Sequence, residues 1–200
     1  MSSTLRLIHQ APLPPGGAVA PAADTLDILA RLVPSDLVTF NDLAPRRRGT
    51  FAEVVSRTAI ELPSPPIPAE IGFWDAFWTS AASQPNRTGD FVSPSRLSDF
   101  MSLRDWRRSA MHTALRPIFD FDRQLLLPLP GPPGHSRRLR FIRLQGGRDF
   151  DDGDCAVAAL IRPHAVAHLH AAELAARGVP PVTSRQSQLL TLIALGYTNQ

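Results

Sequence analysis

The stretch that most constrains the fold is Val182–Gln200, VTSRQSQLLTLIALGYTNQ, where nearly every position carries a helix boundary or a demand for burial. Thr183 and Gln186 form a capping box, the hydroxyl taking a first-turn N–H while the amide reaches back. A helix is therefore predicted from Ser184. Leu189, Leu192 and Ile193 share one face, with Leu190 and Ala194 beside them, so this helix has to pack against something. Gly196 is placed for the left-handed turn after the last helical residue, and Tyr197 can fold back onto Leu192. Thr198 is then a second N-cap. A helix, a glycine turn and a second cap in so short a span open a helix-turn-helix.

These residues resemble the LuxR-type (NarL-like) DNA-binding domain. Val182, Thr183, Arg185, Leu189, Leu190, Leu192, Ile193, Ala194, Gly196, Thr198 and Asn199 match its opening pattern in register. Gln186 and Gln188 replace two acids of that pattern, which keeps the capping amide and removes negative charge from the first turn. The resemblance implies an incomplete all-α helix-turn-helix segment over residues 182–200, cut at its midpoint before the recognition helix. It implies Leu189, Leu192, Ile193 and Gly196 as the core of the first helix, and Thr198 and Asn199 as contacts to the DNA backbone. The plainer alternative is an ordinary amphipathic terminal helix.

Two hundred residues are enough for one core-bearing domain plus an appendage. All 21 basic residues are arginine, and the net charge is only +3, so a basic stripe for nucleic acid is not established by composition. A single cysteine, Cys155, excludes an internal disulfide. No apolar run reaches the roughly 18 residues of a membrane span, and residues 1–23 lack the features of a signal peptide and read as a flexible tail. A cytoplasmic protein without membrane contact is expected.

Along the chain, Leu26, Leu29, Leu32 and Val33 predict a helix with Asp24 as N-cap and Pro34 as stop. Leu37–Leu43 and Phe51–Ile60 predict strands joined by a turn over Pro45–Gly49, whose Arg46, Arg47 and Arg48 read as solvated surface. A helix from about Ala69 to Ala82 places Ile71, Trp74, Trp78 and Ala81 on one face, flanked by Phe73 and Phe77. Together with Trp106, the rings of Trp74, Phe77 and Trp78 could line a ligand pocket, or simply fill the core against a sheet. Ser102 and Asp105 form a capping box for a helix reaching about Ala114. Phe119–Leu129 and Arg137–Leu144 predict a second hairpin. Asp151 and Asp154 read as caps of a long exit helix to about Arg177, with Pro163 inside it. Residues 178–181 form a hinge.

Strands in hairpins with helices between them predict an α+β fold, an antiparallel sheet with packed helices. Residues 24–177 read as one sensor domain with its exit helix, and most of residues 36–175 resemble the GAF/PAS-like sensor that precedes LuxR-type domains in many actinobacterial regulators, most closely over Ser98–His170. The two resemblances together imply a bacterial transcription regulator: DNA as partner of the full-length protein, a homodimer, and an unknown small-molecule effector. Self-association is expected through Val157, Ile161 and Leu169 of the exit helix. The alternative is a free-standing small-molecule-binding or dimerisation module that does not bind DNA. No catalytic residue, metal site or cofactor is expected. His164 and His168, one helical turn apart, lack an acid or cysteine at compatible spacing, Cys155 lacks an activating partner, and no nucleophile elbow or phosphate loop occurs.

Overall fold

The computed structural model describes residues 19–56, 67–117, 119–178, 185, 186, 188 and 189. Most of the expected tail, residues 57–60 of the second expected strand, and the hinge past residue 178 lie outside the described residues. The centre of the fold is a strand without a wet face. β1 (Leu37–Ala44) is buried at every position, Thr39 and Asn41 included. The reason is that both faces of the sheet are covered. β1 pairs with β2 (Gly49–Val55) and with β5 (Ser136–Leu144), which in turn pairs with β4 (Phe121–Leu129), and the two-residue β3 (Ser95–Arg96) closes the other edge. The order is β2-β1-β5-β4-β3, antiparallel throughout. The expected α+β arrangement, an antiparallel sheet with packed helices, is the one the chain forms.

Side chains alternate across a strand, so the register divides the sheet into two surfaces. One presents Val38, Phe40, Leu127, Leu139 and Phe141 to Leu26 and Ala30 of α1 (Ala23–Leu32) and to Ala158, Ile161 and Leu169 of α6 (Asp152–Ala176). The other packs Leu37, Phe121 and Ile142 against Trp74 of α2 (Ile67–Ala76), Phe77 just after it, Trp106 of α4 (Leu103–Arg108), and Met111 and Leu115 of α5 (Ala110–Leu115). Each large apolar side chain so enclosed contributes about 1.5–3 kcal/mol. Gly72 permits the close approach of α2 to α5, since a Cβ there would meet the Ala114 Cβ at 3.0 Å.

Several boundaries differ from those predicted. Asp24 lies in the first turn of α1 while Ala22 takes the N-cap position, and a carboxylate in that turn still favours the helix dipole. Leu32 is exposed, and Val33, one residue past the helix, is buried instead. The aromatic helix does not run to Ala82. It stops at Ala76, gives a short 3-10 turn over Phe77–Thr79, and Ser80 is extended with φ −98° and ψ 165°. Thr79 Oγ1 donates to Ala76 O at 3.1 Å and Ser80 Oγ to Phe77 O at 2.8 Å, offering the backbone a local alternative to the helical ladder. A second 3-10 turn over Ala81–Ser83 leads into the short α3 (Gln84–Thr88), whose first turn holds Pro85, a residue tolerated there because its missing N–H would have no helical partner.

The predicted single helix from Ser102 to Ala114 is two, α4 and α5, because Ser109 is extended and its Oγ accepts from His112 N at 3.1 Å as a fresh cap. The Ser102 cap is as predicted, accepting from Asp105 N at 3.2 Å. So are those of α6, where Asp151 and Asp154 form a reciprocal capping box and the helix continues past Pro163.

Candidate functional site

Trp74, Phe77 and Trp106 belong to one buried cluster on the α2–α5 side of the sheet, whereas Trp78 is 45% exposed. The break after Ala76 separates Trp78 from the face that helical spacing would share with Trp74. The two buried indoles differ in their polar ends. Trp106 Nε1 donates to Phe121 O at 2.9 Å, and its ring lies 5.0 Å from the Phe121 ring. Trp74 Nε1 is buried with no acceptor among the described residues, and its ring centroid is 5.4 Å from that of Phe77.

The same layer contains a polar row that sequence reasoning missed. Thr39 faces Arg140 across the β1–β5 pair and Asn41 faces Arg138, while Asn41 also lies opposite Glu53 on β2. Cross-strand partners point to the same side of a sheet, so these groups share the surface that carries Trp74 and Phe77. Thr39 Oγ1 donates to Asn41 Oδ1 at 3.1 Å, and Asn41 Nδ2 to a Glu53 carboxylate oxygen at 2.8 Å. Arg140 Nε donates to Gln124 Oε1 at 2.8 Å, and its guanidinium sits 5.5 Å from the Phe121 ring centre. Arg138 donates to Ala82 O and to Ser136 Oγ, lies 5.7 Å from the Phe77 ring centre, and keeps Nε without a partner among the described residues.

Neither arginine makes an ion pair among the described residues, yet Arg138 is 2% and Arg140 7% exposed. Burial pushes the Arg138 guanidinium down to about 9, with the neighbouring Arg140 charge adding to the effect. Burial likewise pushes Arg140 down to about 10, opposed by the Glu53 charge. Both remain cations at neutral pH. A buried cation without a carboxylate is costly, and such perturbed groups mark candidate functional sites. The available sequence signal was the strand SRRLRFIRL itself. Its arginines fall on both faces, and its apolar neighbour LLLPL on β4 leaves neither face free for solvent.

On the opposite surface β5 carries arginines of another kind. Arg143 donates to Asp154 Oδ2 at 3.0 Å and to Pro34 O at 2.8 Å, with its guanidinium 3.9 Å from the Phe150 ring centre. Arg137 donates to Asp42 Oδ2 at 2.8 Å and also to Glu173. Asp42 further meets His135 Nδ1 at 2.9 Å. Asp154 and Glu173 lie near the two ends of α6, so that helix is clamped to β5 at both.

A recess lies between α1, α6 and the sheet. It encloses about 180 Å³ and is lined by Leu29, Phe40, Leu139 and Ile161 with His164 and His168 on α6. That is below the roughly 300 Å³ at which small-molecule pockets usually begin. Both histidines are exposed, and the described residues contain no group of three or more histidine, cysteine or acidic side chains able to hold a metal. The Cys155 thiol is pushed up by burial, the opposite of nucleophilic activation. Ile161 and Leu169, expected to serve self-association, are buried against this chain's own sheet, and Val157 packs beside them. Leu189 is helical and 49% exposed. Leu192, Ile193, Gly196, Thr198 and Asn199 lie outside the described residues, as does Thr183 of the expected capping box.

Among the described residues no helix is long and apolar enough to cross a membrane. No family model matches the chain, and no curated protein does. Among solved structures the chain is similar to the crystal structure of the VqsR LBD domain from Pseudomonas aeruginosa, with 18% identity, a TM-score of 0.46, and coverage of 80% of this chain and 86% of that one.

Proposed function

We propose that this chain is the signal-receiving part of a LuxR-type transcription regulator. A small molecule held on the α2–α5 surface of the sheet alters how β5 grips α6, and α6 passes that change to residues 182–200, the opening of the helix-turn-helix. One observation carries the reading. The strand that buries Arg138 and Arg140 on one face clamps both ends of the exit helix from the other, through Arg143 to Asp154 and Arg137 to Glu173. Coupling requires an element that both sites touch, and β5 is that element. The fold, an antiparallel sheet enclosed by helices, supplies the interior in which a ligand can be held.

The regulator acts in the cytoplasm, performs no catalytic step and uses no metal or cofactor. Two-fold operators favour dimers. Since Ile161 and Leu169 are spent on the sheet, a homodimer would use the outer face of α6, where Leu160 is 72% exposed. Residues 182–200 reach the second cap of the motif, and base readout in a helix-turn-helix comes from the helix that follows the turn.

The test is a DNA titration at near-physiological salt with a fusion that continues the motif after Gln200 into the remaining helices of a LuxR-type domain of known operator. Selective binding by the fusion, changed in affinity by Glu173→Gln, is the expected result. Selective binding unaffected by both Glu173→Gln and Arg143→Met would reject the coupling and favour a free-standing ligand-binding module. Selective binding by the unfused chain would move the DNA-reading surface into residues before 182.

A further inference from the structure

The recess between α1, α6 and the sheet opens on the face opposite Arg138 and Arg140, and its lining sets what fits there. At its base are Phe40, Leu129 and Leu139, all buried. Its mouth is marked by the lining residues that reach solvent: Thr25 on α1 is half-buried, and His164 and His168 on α6 are exposed. Among the described residues no acid and no arginine lines it. A charge carried inside would lose its water without gaining a partner, whereas a polar atom left at the mouth meets the Thr25 hydroxyl, the two imidazoles and water. The volume of about 180 Å³ exceeds the roughly 150 Å³ at which an apolar cavity stays dry and takes up benzene. One substituted six-membered ring therefore has room.

We propose that this recess binds a small, uncharged phenol-type molecule, its ring set against Phe40 and Leu139 and its hydroxyl left at the mouth beside Thr25 and His168. A ring meets the Phe40 ring edge-on or offset, with an attraction that an aliphatic body of the same volume lacks. Occupancy has a consequence because of where the recess sits. Ile161, Ala165 and Leu169 line it between Asp154 and Glu173, the two points at which β5 grips α6. Pro163, in the same stretch, lacks the N–H that would bond the preceding turn. A ring lodged there ties the middle of α6 to α1 and to the sheet. The site goes beyond the signal-receiving reading, which places its ligand on the other face, so each can fail without the other.

The test is a calorimetric titration of the intact chain, residues 1–18 included, near neutral pH. The probes are para-cresol, para-hydroxybenzoate, in which a carboxylate replaces the methyl group, and benzylammonium. The expected result is saturable binding of para-cresol at or below about 1 mM, with both ions binding about ten-fold or more weakly. Saturating para-cresol should also raise the melting temperature by mass action. Nuclear Overhauser contacts should join the cresol ring to Phe40 and Leu139. Ala165→Leu keeps a strong helix former, puts a larger side chain into the recess, and should weaken para-cresol about ten-fold or more without lowering the unliganded melting temperature. If that variant does not fold, the Overhauser contacts in the parent decide: contacts to Phe40 and Leu139 support the site, and contacts to Trp74 or Phe77 overturn it. The proposal also falls if no saturable binding occurs, which includes a recess filled by the chain itself, if either ion binds as tightly as para-cresol, or if a folded Ala165→Leu binds undiminished. Binding at Phe40 and Leu139 in a protein whose fusion ignores Glu173→Gln and Arg143→Met would keep this site and reject the coupling through β5.

Discussion

The two faces of β5 carry the same side chain in opposite states. Toward α6, Arg137 and Arg143 each meet a buried or half-buried carboxylate and fix the helix at both ends. Toward α2 and α5, Arg138 and Arg140 are as deeply buried and meet none among the described residues. Burial depth alone therefore does not tell an arginine that has its carboxylate from one that lacks it. What separates them is whether the fold supplies the counter-charge. Where it does, the arginine is part of the architecture, and where it does not, the missing charge has to come from outside or be tolerated as a cost.

The sharpest way to break this contrast is to remove a carboxylate from one face and a guanidinium from the other. Asp42→Ala leaves Arg137 and His135 facing a buried vacancy, and breaking a buried pair on one side costs about 3–5 kcal/mol. Arg140→Met removes an uncompensated charge and retains an apolar stem of similar length. Its cost should stay well below that of Asp42→Ala, since replacing buried charge by apolar volume is often neutral or favourable and the Gln124 acceptor alone is left without its donor. Denaturant midpoints of the two variants measure the difference. Equal destabilisation would mean that Arg140 is as structural as Arg137 and would remove the basis for a ligand on that face.

Hairpins and caps are legible in the sequence because their signals are local. The turn after β1, the Ser102 cap and the Asp151–Asp154 box each rest on a few adjacent residues, and in the two caps the side chains bond their own backbone. The α+β class is legible for the same reason, as two hairpins with helices between them. Helical periodicity overextends the aromatic helix because Thr79 and Ser80 take carbonyls that a continuing helix would assign to later N–H groups. The recognition candidates are illegible because the chemistry of Arg138 depends on what covers β5. A strand with arginines on both faces reads as an exposed strand until β1, β4 and two helical layers are known to enclose it. Helical spacing puts Trp78 on the face of Trp74, whereas the chain buries Trp74, Phe77 and Trp106 together and leaves Trp78 45% exposed, and the polar groups beside the buried rings come from strands remote in sequence.

Acid titration sharpens the paired side of the comparison further. Asp122, 2% exposed, accepts Arg107 Nε at 2.9 Å and Arg107 Nη2 at 2.6 Å, and Gly146 N at 3.0 Å. The Arg107 hydrogen bonds hold its carboxyl below the usual carboxylate range. A depressed folded-state pKa contributes stability that is present above the unfolded value, about 3.9 for aspartate, and lost as pH falls through the folded value. Asp122→Asn should therefore lower stability at neutral pH and flatten the loss below about pH 3.9. Because Arg107 is half exposed, the effect should be smaller than that of Asp42→Ala. Unfolding midpoints across the acid range check it, and parallel pH profiles for parent and variant would show that this pair contributes nothing beyond solvation.

The smallest expected effect makes the same distinction with neutral groups. Trp106→Phe and Trp74→Phe each remove one indole N–H from a buried site and leave a comparable gap, so the packing loss largely cancels between them. Only Trp106 gives up a hydrogen bond, the one to Phe121 O, and a buried carbonyl left without its donor costs about 1–3 kcal/mol. Trp74 gives up nothing of the kind, since its Nε1 has no acceptor among the described residues. Trp106→Phe should thus be the more destabilising by about 1 kcal/mol in chemical denaturation of the unliganded chain. If Trp74→Phe destabilises the unliganded chain as much as Trp106→Phe, the hydrogen bond to Phe121 O contributes nothing beyond the packing of the ring.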